Sequence, residues 1–494
     1  MTGTSRPILT LSGLVRPDED KGLELAGYDV LLPCRRFRID HKVAVLGRVS
    51  LTAEFLLRLL KSADGIDEAD AAAFFGFSLR DMSFVLSEVE GLGYVERRDG
   101  RLWLTFSGMS LFLEGSDEPK IFDVESRRES VGFDLIALAY EQVRGLDEFS
   151  RSLPELPLLH PEHASAATSR VSSAFRRFYP EVVSRRERSA DKTSLYSIDE
   201  VLPEDRFSSV VRFSVQSTGL RPWVGTANLE DWRSEVEQED RSEIVDAVAA
   251  FVDGLYVPQR SDDRDAYEVL ANLAPEFLKD FVRKDGLAVD RYYRDAFNRV
   301  GEVRSNRQTV ALVGSPLTRE NVRKIMDALG YGLRSQLLPT TVLWLTPIVR
   351  AWGATRTLPE LLRSIAGRLV DKADGKRAQV ETISLVSGRP DPHVRKAFDR
   401  VAAHESPLFP QALEILLIPG VLAVAVVHAP VGAKNGLPVP LGFISFDPRV
   451  IERASKFLEG SMHRYLKDED LDQRIREQMA MVSDSKLTDE GAVT

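Results

Sequence analysis

His428, Asp447 and Arg449 stand near one another towards the end of the chain. An imidazole, a carboxylate and a guanidinium are groups with which a nuclease or a nucleotide-dependent enzyme moves protons and holds phosphate oxygens. The sequence supplies nothing to complete such a site: it has no His-x-Lys pair, no Gly-Lys-Ser and no Gly-x-Gly-x-x-Gly loop. Gly314 and Ser315 fall between the apolar VALV and the helix-like TRENVRKIMDALG. Free N–H groups at a helix start bind anions, but a single Gly-Ser there is also ordinary turn chemistry. His160, Glu162 and His163 share a proline-rich segment and lack a third ligand of the right spacing. Cys34 lies beside Arg35 and Arg36 without a partner base, and His428 ends an apolar strand as a core histidine would. The reading is therefore of no catalytic residue, no metal and no cofactor. An enzyme assembled from residues such as Asp447, His428 and Arg449 remains the alternative.

The other chemistry-bearing residues are cations. Arg97, Arg98 and Arg101 surround Asp99-Gly100, and Arg80 lies upstream of them. A second group, Arg170, Arg176, Arg177, Arg185, Arg186, Arg188 and Lys192, is interleaved with Phe175, Phe178 and Tyr179, which reads as an amphipathic helix followed by a charged loop. With a net charge of −10, binding of nucleic acid by bulk electrostatics is excluded, so any DNA contact has to be local. Arg80, Arg97, Arg98 and Arg101 are its candidates.

The elements that must position them are legible between residues 50 and 113. SLTAEFLLRLL, DEADAAAFFG and SLRDMSFVLSEVEGLGYV read as three short helices, with Ser50 and Ser78 as N-caps, and ERRDGRLWLTF as a β-hairpin turning at Asp99-Gly100. Leu79, Met82, Leu86 and Val89 recur at helical spacing, and the expected core is Leu56, Leu59, Leu86, Val89 and Trp103.

Three helices and a hairpin in this order, with Gly93-Tyr94-Val95, Gly100, Leu104-Thr105 and Gly108, resemble the winged-helix regulators. The resemblance implies a third helix in the DNA major groove and a wing on the backbone. The third helix departs from that role, because Arg80 is its one cation against Asp81, Glu88 and Glu90. A protein-docking winged helix is the competing expectation.

Further along, LEILLIPGVLAVAVVHAPV followed by PLGFISFDPRVIERA is similar to half of a phospholipase-D-like domain, where a strand bearing His-x-Lys precedes a Gly-Ser-x-Asn turn. The resemblance places the His and Lys at Ala423 and Ala425, and the turn at Gly442-Phe443-Ile444-Ser445, of which only the glycine survives. It thus implies a member without catalysis. Winged helices fused to such degenerate domains are similar to accessory subunits of prokaryotic DNA-processing and anti-phage systems.

The fold class expected is multidomain, α/β plus α+β, with an N-terminal winged helix joined to a C-terminal mixed-sheet α/β domain. Residues 1–120 read as two strand-like pieces, YDVLLP and FRIDHKVAVLG, beside the winged helix. Residues 121–193 read as a helical connector, with a helix over 127–148 and a domain boundary at SLPELPLLHPEHA. Residues 194–289 read as α+β. Residues 290–462 alternate strands with helices, including a helix at DPHVRKAFDRVAA. Residues 463–494 read as a helical end and a disordered tail. With no long apolar run, no signal-like start and one cysteine, a cytoplasmic location is expected. The function expected is a non-enzymatic DNA-associated or adaptor protein, with duplex DNA, a protein or a second copy as partners and no membrane.

Overall fold

The computed structural model describes residues 22–46, 49–112, 119, 122–162, 167–184, 193–234, 236, 241–299, 301–333, 339–370, 380–466, 473 and 475–477. The protein is a mixed α/β structure with several sheets, the largest a seven-stranded mixed sheet in the C-terminal half. The described residues open on one long element, β1 (Gly22–Leu46), 25 residues of continuous strand. The sequence reading divided this segment into two short pieces, because Arg35, Arg36, Arg38, Asp40 and Lys42 interrupt its apolar pattern. Those polar groups are accommodated by alternation. Phe37, Ile39, His41 and Val43 are buried, while Asp40 on the opposite face takes a bidentate ion pair from Arg128.

β1 also does not lie beside the helix–hairpin module. Instead the module is inserted at its far end. The module comprises α1 (Leu51–Ser62), β2 (Ile66–Asp67), α2 (Glu68–Phe75), α3 (Leu79–Gly91), the hairpin β3 (Val95–Arg98) and β4 (Arg101–Leu104), and the short α4 (Phe106–Ser110). The chain then returns as β5 (Phe122–Asp134), whose Phe122 pairs with Leu46. Local chemistry explains the module's elements. Ser50 Oγ accepts from the Ala53 N–H, Ser78 and Asp81 form a reciprocal capping box, and Gly76 ends α2 in the left-handed region. Asp99 and Gly100 both have positive φ and turn the hairpin. Leu56, Leu86 and Val89 are fully buried, and Leu59 packs partly buried against them. Leu79 and Trp103 depart from expectation: both are exposed, Trp103 lying with its ring over Gly65.

The expected helix over 127–148 is β5 and a loop. Val131 and Phe133 face inward at strand spacing, and the ladder to β1 settles the conformation. The buried Asp134 carboxylate then accepts from the N–H groups of Ile136, Ala137 and Ala139 and folds the chain over, with Leu138 at φ 55°. The proline-rich stretch runs along β1 rather than separating domains: Leu31 donates to Pro154 and accepts from Leu156, and Leu153 and Leu156 are buried. α5 (Ala167–Ser184) buries Phe175, Phe178 and Tyr179 against the distal half of β1, with Arg170, Arg176 and Arg177 outside. Arg185, Arg186, Arg188 and Lys192 lie outside the described residues, as do His163 and the tail from 478 onwards.

β6 (Thr193–Thr218) and β7 (Arg221–Asn228) complete a four-stranded sheet in the order β5-β1-β6-β7. This sheet draws strands from three of the expected segments and so crosses the expected boundaries. Next come α6 (Ser242–Asp253), α7 (Asp263–Leu273) and α8 (Val289–Asn298). The seven-stranded sheet is built from β8 (Thr309–Val313), α9 (Arg319–Gly332), β9 (Thr341–Leu345), α10 (Thr357–Leu369), β10 (Glu381–Ser387), α11 (Pro392–Ala397), β11 (Arg400–His404), β12 (Leu413–Ile418), β13 (Leu422–Ala429), β14 (Val439–Ser445) and α12 (Pro448–Tyr465). Its order is β8-β14-β13-β12-β9-β10-β11, parallel only across β9, β10 and β11. The expected helix at DPHVRKAFDRVAA is thus helical only to Ala397, and RVAAH is an edge strand. β13 is buried on both faces. Leu422, Val424 and Val426 pack towards α9 and α10, while Ala423, Ala425, Val427 and Ala429 face the layer containing α7 and α12.

Candidate functional site

Two regions carry the residues singled out by their chemistry: the outer face of the helix–hairpin module and the seven-stranded sheet. On the module, Met82, Leu86 and Val89 turn α3 inward, which leaves Leu79, Arg80, Ser83, Phe84 and Ser87 outside. Leu79 is 61% exposed and Phe84 66%. Leu51, Phe55, Phe74 and Met109 are likewise exposed, and Phe106 is 90% exposed. Among the described residues, nine of the seventeen large apolar side chains left in solvent belong to this one module. It is also acidic, with ten Asp or Glu against six Lys or Arg from Val49 to Phe112.

The four arginines are split by their surroundings. Arg97 lies between Glu68 and Glu90, at 3.3 and 3.4 Å, and Arg98 pairs with Glu96, so two of the hairpin cations are neutralised within the module. Arg80 and Arg101 are exposed and have no ion-pair partner among the described residues. Arg80 is the one cation of α3 and Arg101 the one cation of β4, so neither element concentrates charge as a phosphate track would.

In the seven-stranded sheet, Ala423 and Ala425 are buried, and Ala425 lies opposite Phe443. Gly442 is required by the strand spacing here, because a Cβ on it would run into the Ala425 carbonyl. Its own carbonyl accepts from the Tyr292 hydroxyl of α8. The positions at which a phospholipase-D-like site would hold imidazole and ammonium are therefore small, apolar and covered by helices.

His428 and Asp447 are not neighbours. His428 pairs across the ladder with Pro440 at the start of β14, while Asp447 follows its end, roughly 20 Å away at the rise of a strand. Asp447 caps α12 by accepting from the Arg449 N–H and pairs with the Arg449 side chain. The proposed trio is thus separated into a helix cap and a buried histidine. His428 Nε2 instead hydrogen-bonds Glu414 Oε2, and Trp344 Nε1 donates to Glu414 Oε1 at 2.9 Å. Glu414 was missed in sequence because the surrounding LEILLI reads as a plain apolar strand; an acid inside such a run is the signal that could have found it. His428 lines a cavity of about 40 Å³ with Ser315, Thr355, Trp352 and the Ala26–Tyr28 stretch of β1. That volume admits one or a few waters.

The Gly314-Ser315 turn has no N–H to offer an anion. Gly314 donates to Pro440 and Ser315 to Leu25, Leu317 N–H goes to Ser315 Oγ, and Thr318 N–H to the Ser315 carbonyl. Gly314 has φ 84°, and a Cβ on it would come within 2.6 Å of the Glu24 carbonyl of β1, which seals the turn. Cys34 is buried within β1, and that burial pushes its thiol well above the ordinary range. His160 is exposed and faces Glu162 at 3.3 Å. Among the described residues no group of three or more His, Cys, Asp or Glu is placed to hold a metal ion, and no helix is long and apolar enough to cross a membrane. Comparison with models of known protein families, with curated proteins and with solved structures returned no match.

Proposed function

We propose that this chain is a non-enzymatic adaptor, in which a winged-helix module at residues 50–113 docks protein and a degenerate phospholipase-D-like domain serves as its scaffold. The observation that carries the reading is the outer face of α3. In a winged helix that face would enter the major groove, and here it presents Leu79 and Phe84 with a single cation, Arg80. Burying those two side chains against protein contributes roughly 1.5–3 kcal/mol each, whereas against phosphate they contribute nothing. What supports the scaffold reading is the apolar burial at Ala423 and Ala425, beside the glycine that the family motif retains. By the same resemblance, the setting is that of an accessory subunit of a prokaryotic DNA-processing or anti-phage defence system.

A second reading, contact with duplex DNA, is favoured by Arg80 and Arg101, which have no ion-pair partner among the described residues. Fluorescence anisotropy of a labelled duplex against the intact chain separates the two. The adaptor reading expects weak binding that Phe84→Asp leaves unchanged. Tight, salt-sensitive binding lost on reversal of Arg80 and Arg101 to Glu would replace it with the DNA reading.

A further inference from the structure

Arg80, Phe84 and Glu88 recur at every fourth position of α3 and so form one ridge along its outer side. Phe84 is the exposed middle of the ridge. At one end the Arg80 guanidinium has no ion-pair partner among the described residues. At the other end the Glu88 carboxylate, half-buried, accepts from the Ser50 N–H at 2.7 Å and the Ser50 hydroxyl at 2.6 Å. A ridge that reads cation, aromatic ring, anion is complementary to itself when reversed.

We propose that the chain forms a two-fold symmetric dimer in which α3 packs antiparallel against α3 of a second copy. Phe84 meets Phe84 on the axis, and Arg80 of each copy faces Glu88 of the other, so that one contact is made twice. Arg80 and Glu88 are about 12 Å apart along the helix, which places the two charge pairs on either side of the aromatic contact. The flanking groups suit burial. The Ser83 and Ser87 hydroxyls already donate to the carbonyls of Arg80 and Phe84, so covering them strands no donor. Leu51 follows the Ser50 that Glu88 holds, and reversal of the helix brings Leu79 of the second copy to that end. The first three helices and the hairpin of the module share a core of their own, leaving this ridge open to solvent. Duplex DNA would leave Glu88 and Asp81 facing phosphate, and an unrelated protein would have no need of the ridge's reversal symmetry.

The inference rests on α3 being a protein-docking face, and its test separates the two claims. Sedimentation velocity on the intact chain at high micromolar loading should give the mass of a dimer. Arg80→Glu and Glu88→Arg should each weaken self-association by about tenfold or more, and an equimolar mixture of the two should restore it as a heterodimer. Circular dichroism of each variant checks the fold, since Glu88→Arg removes the Ser50 acceptor. Phe84→Cys supplies an independent readout. Cys34 is buried, so the new thiol is the accessible one, and mild oxidation should join two chains far faster than in a Glu96→Cys control. A wild type that stays monomeric, a mixture that does not re-associate, or equal cross-linking at positions 84 and 96 would overturn the dimer. A monomer that loses a different protein partner on Phe84→Asp would leave the adaptor reading standing, and a monomer that binds duplex tightly would remove both.

Discussion

Glu414 and His428 lie diagonally across neighbouring antiparallel strands, and the carboxylate is shared between the imidazole on β13 and the indole N–H of Trp344 on β9. Three strands of the sheet are thereby tied through one buried acid, which is 1% exposed. Glu414 has both oxygens engaged, and the cavity beside His428, at about 40 Å³, has room for little more than water.

His428→Ala leaves Glu414 Oε2 buried without a partner. Removing one member of a buried charged hydrogen bond costs about 2–4 kcal/mol, so the variant should unfold at correspondingly lower urea with an unchanged m-value. Wild-type stability in the variant would mean that the contact contributes nothing.

Much of the C-terminal sheet was legible because buried strands such as VLAVAVV are apolar throughout, and helices such as TRENVRKIMDALG are capped and periodic. The N-terminal half was less so. β1 owes its length to ladders on both sides, and it meets β5 and β6 through pairs as distant in sequence as Cys34–Asp134 and Gly22–Thr218, a non-local pairing that no local pattern reports. Residues 131–139 satisfy helical and strand spacing alike, and the pairing partner decided between them. The candidate cations were visible as residues, but their ion pairs with Glu68, Glu90 and Glu96 were not, and neither was the outward turn of Leu79.

Installing a phospholipase-D-like His-x-Lys pair should not create chemistry. Ala423→His with Ala425→Lys would place an imidazole and an ammonium at positions 0–1% exposed, beneath the helical layer. An unpaired buried cation costs several kcal/mol, so the double variant should be destabilised or insoluble and should hydrolyse no phosphodiester without metal. A folded, active double variant would show that the site is only two side chains short of function.

Burial raises the Asp134 carboxyl from 3.8 to about 6, against the opposing pull of Arg241 and of the backbone N–H groups of Ala137, Ala139 and Ile136. A carboxyl whose pKa is higher folded than unfolded favours the folded state while protonated. Its contribution is thus complete below the unfolded value of 3.8 and is lost as pH rises through about 6. Relative to Asp134→Asn, the wild type should lose about 2 kcal/mol between pH 4 and pH 7. Parallel stability–pH curves for the two proteins would contradict this.

Charge reversal on the hairpin should act mainly within the module. Arg97→Glu puts a third carboxylate beside Glu68 and Glu90 and should lower the module's stability by about 1 kcal/mol, an effect that shrinks in high salt. An effect that grows with salt would show that Arg97 is held by something other than these ion pairs.

The most direct test of protein docking through α3 is a photo-cross-linking benzophenone residue in place of Phe84, activated in the intact chain inside the cells that produce it. The account predicts adducts to protein, to a second copy or to a different polypeptide, that disappear when Leu79 is also changed to Asp. Adducts to nucleic acid alone would contradict it.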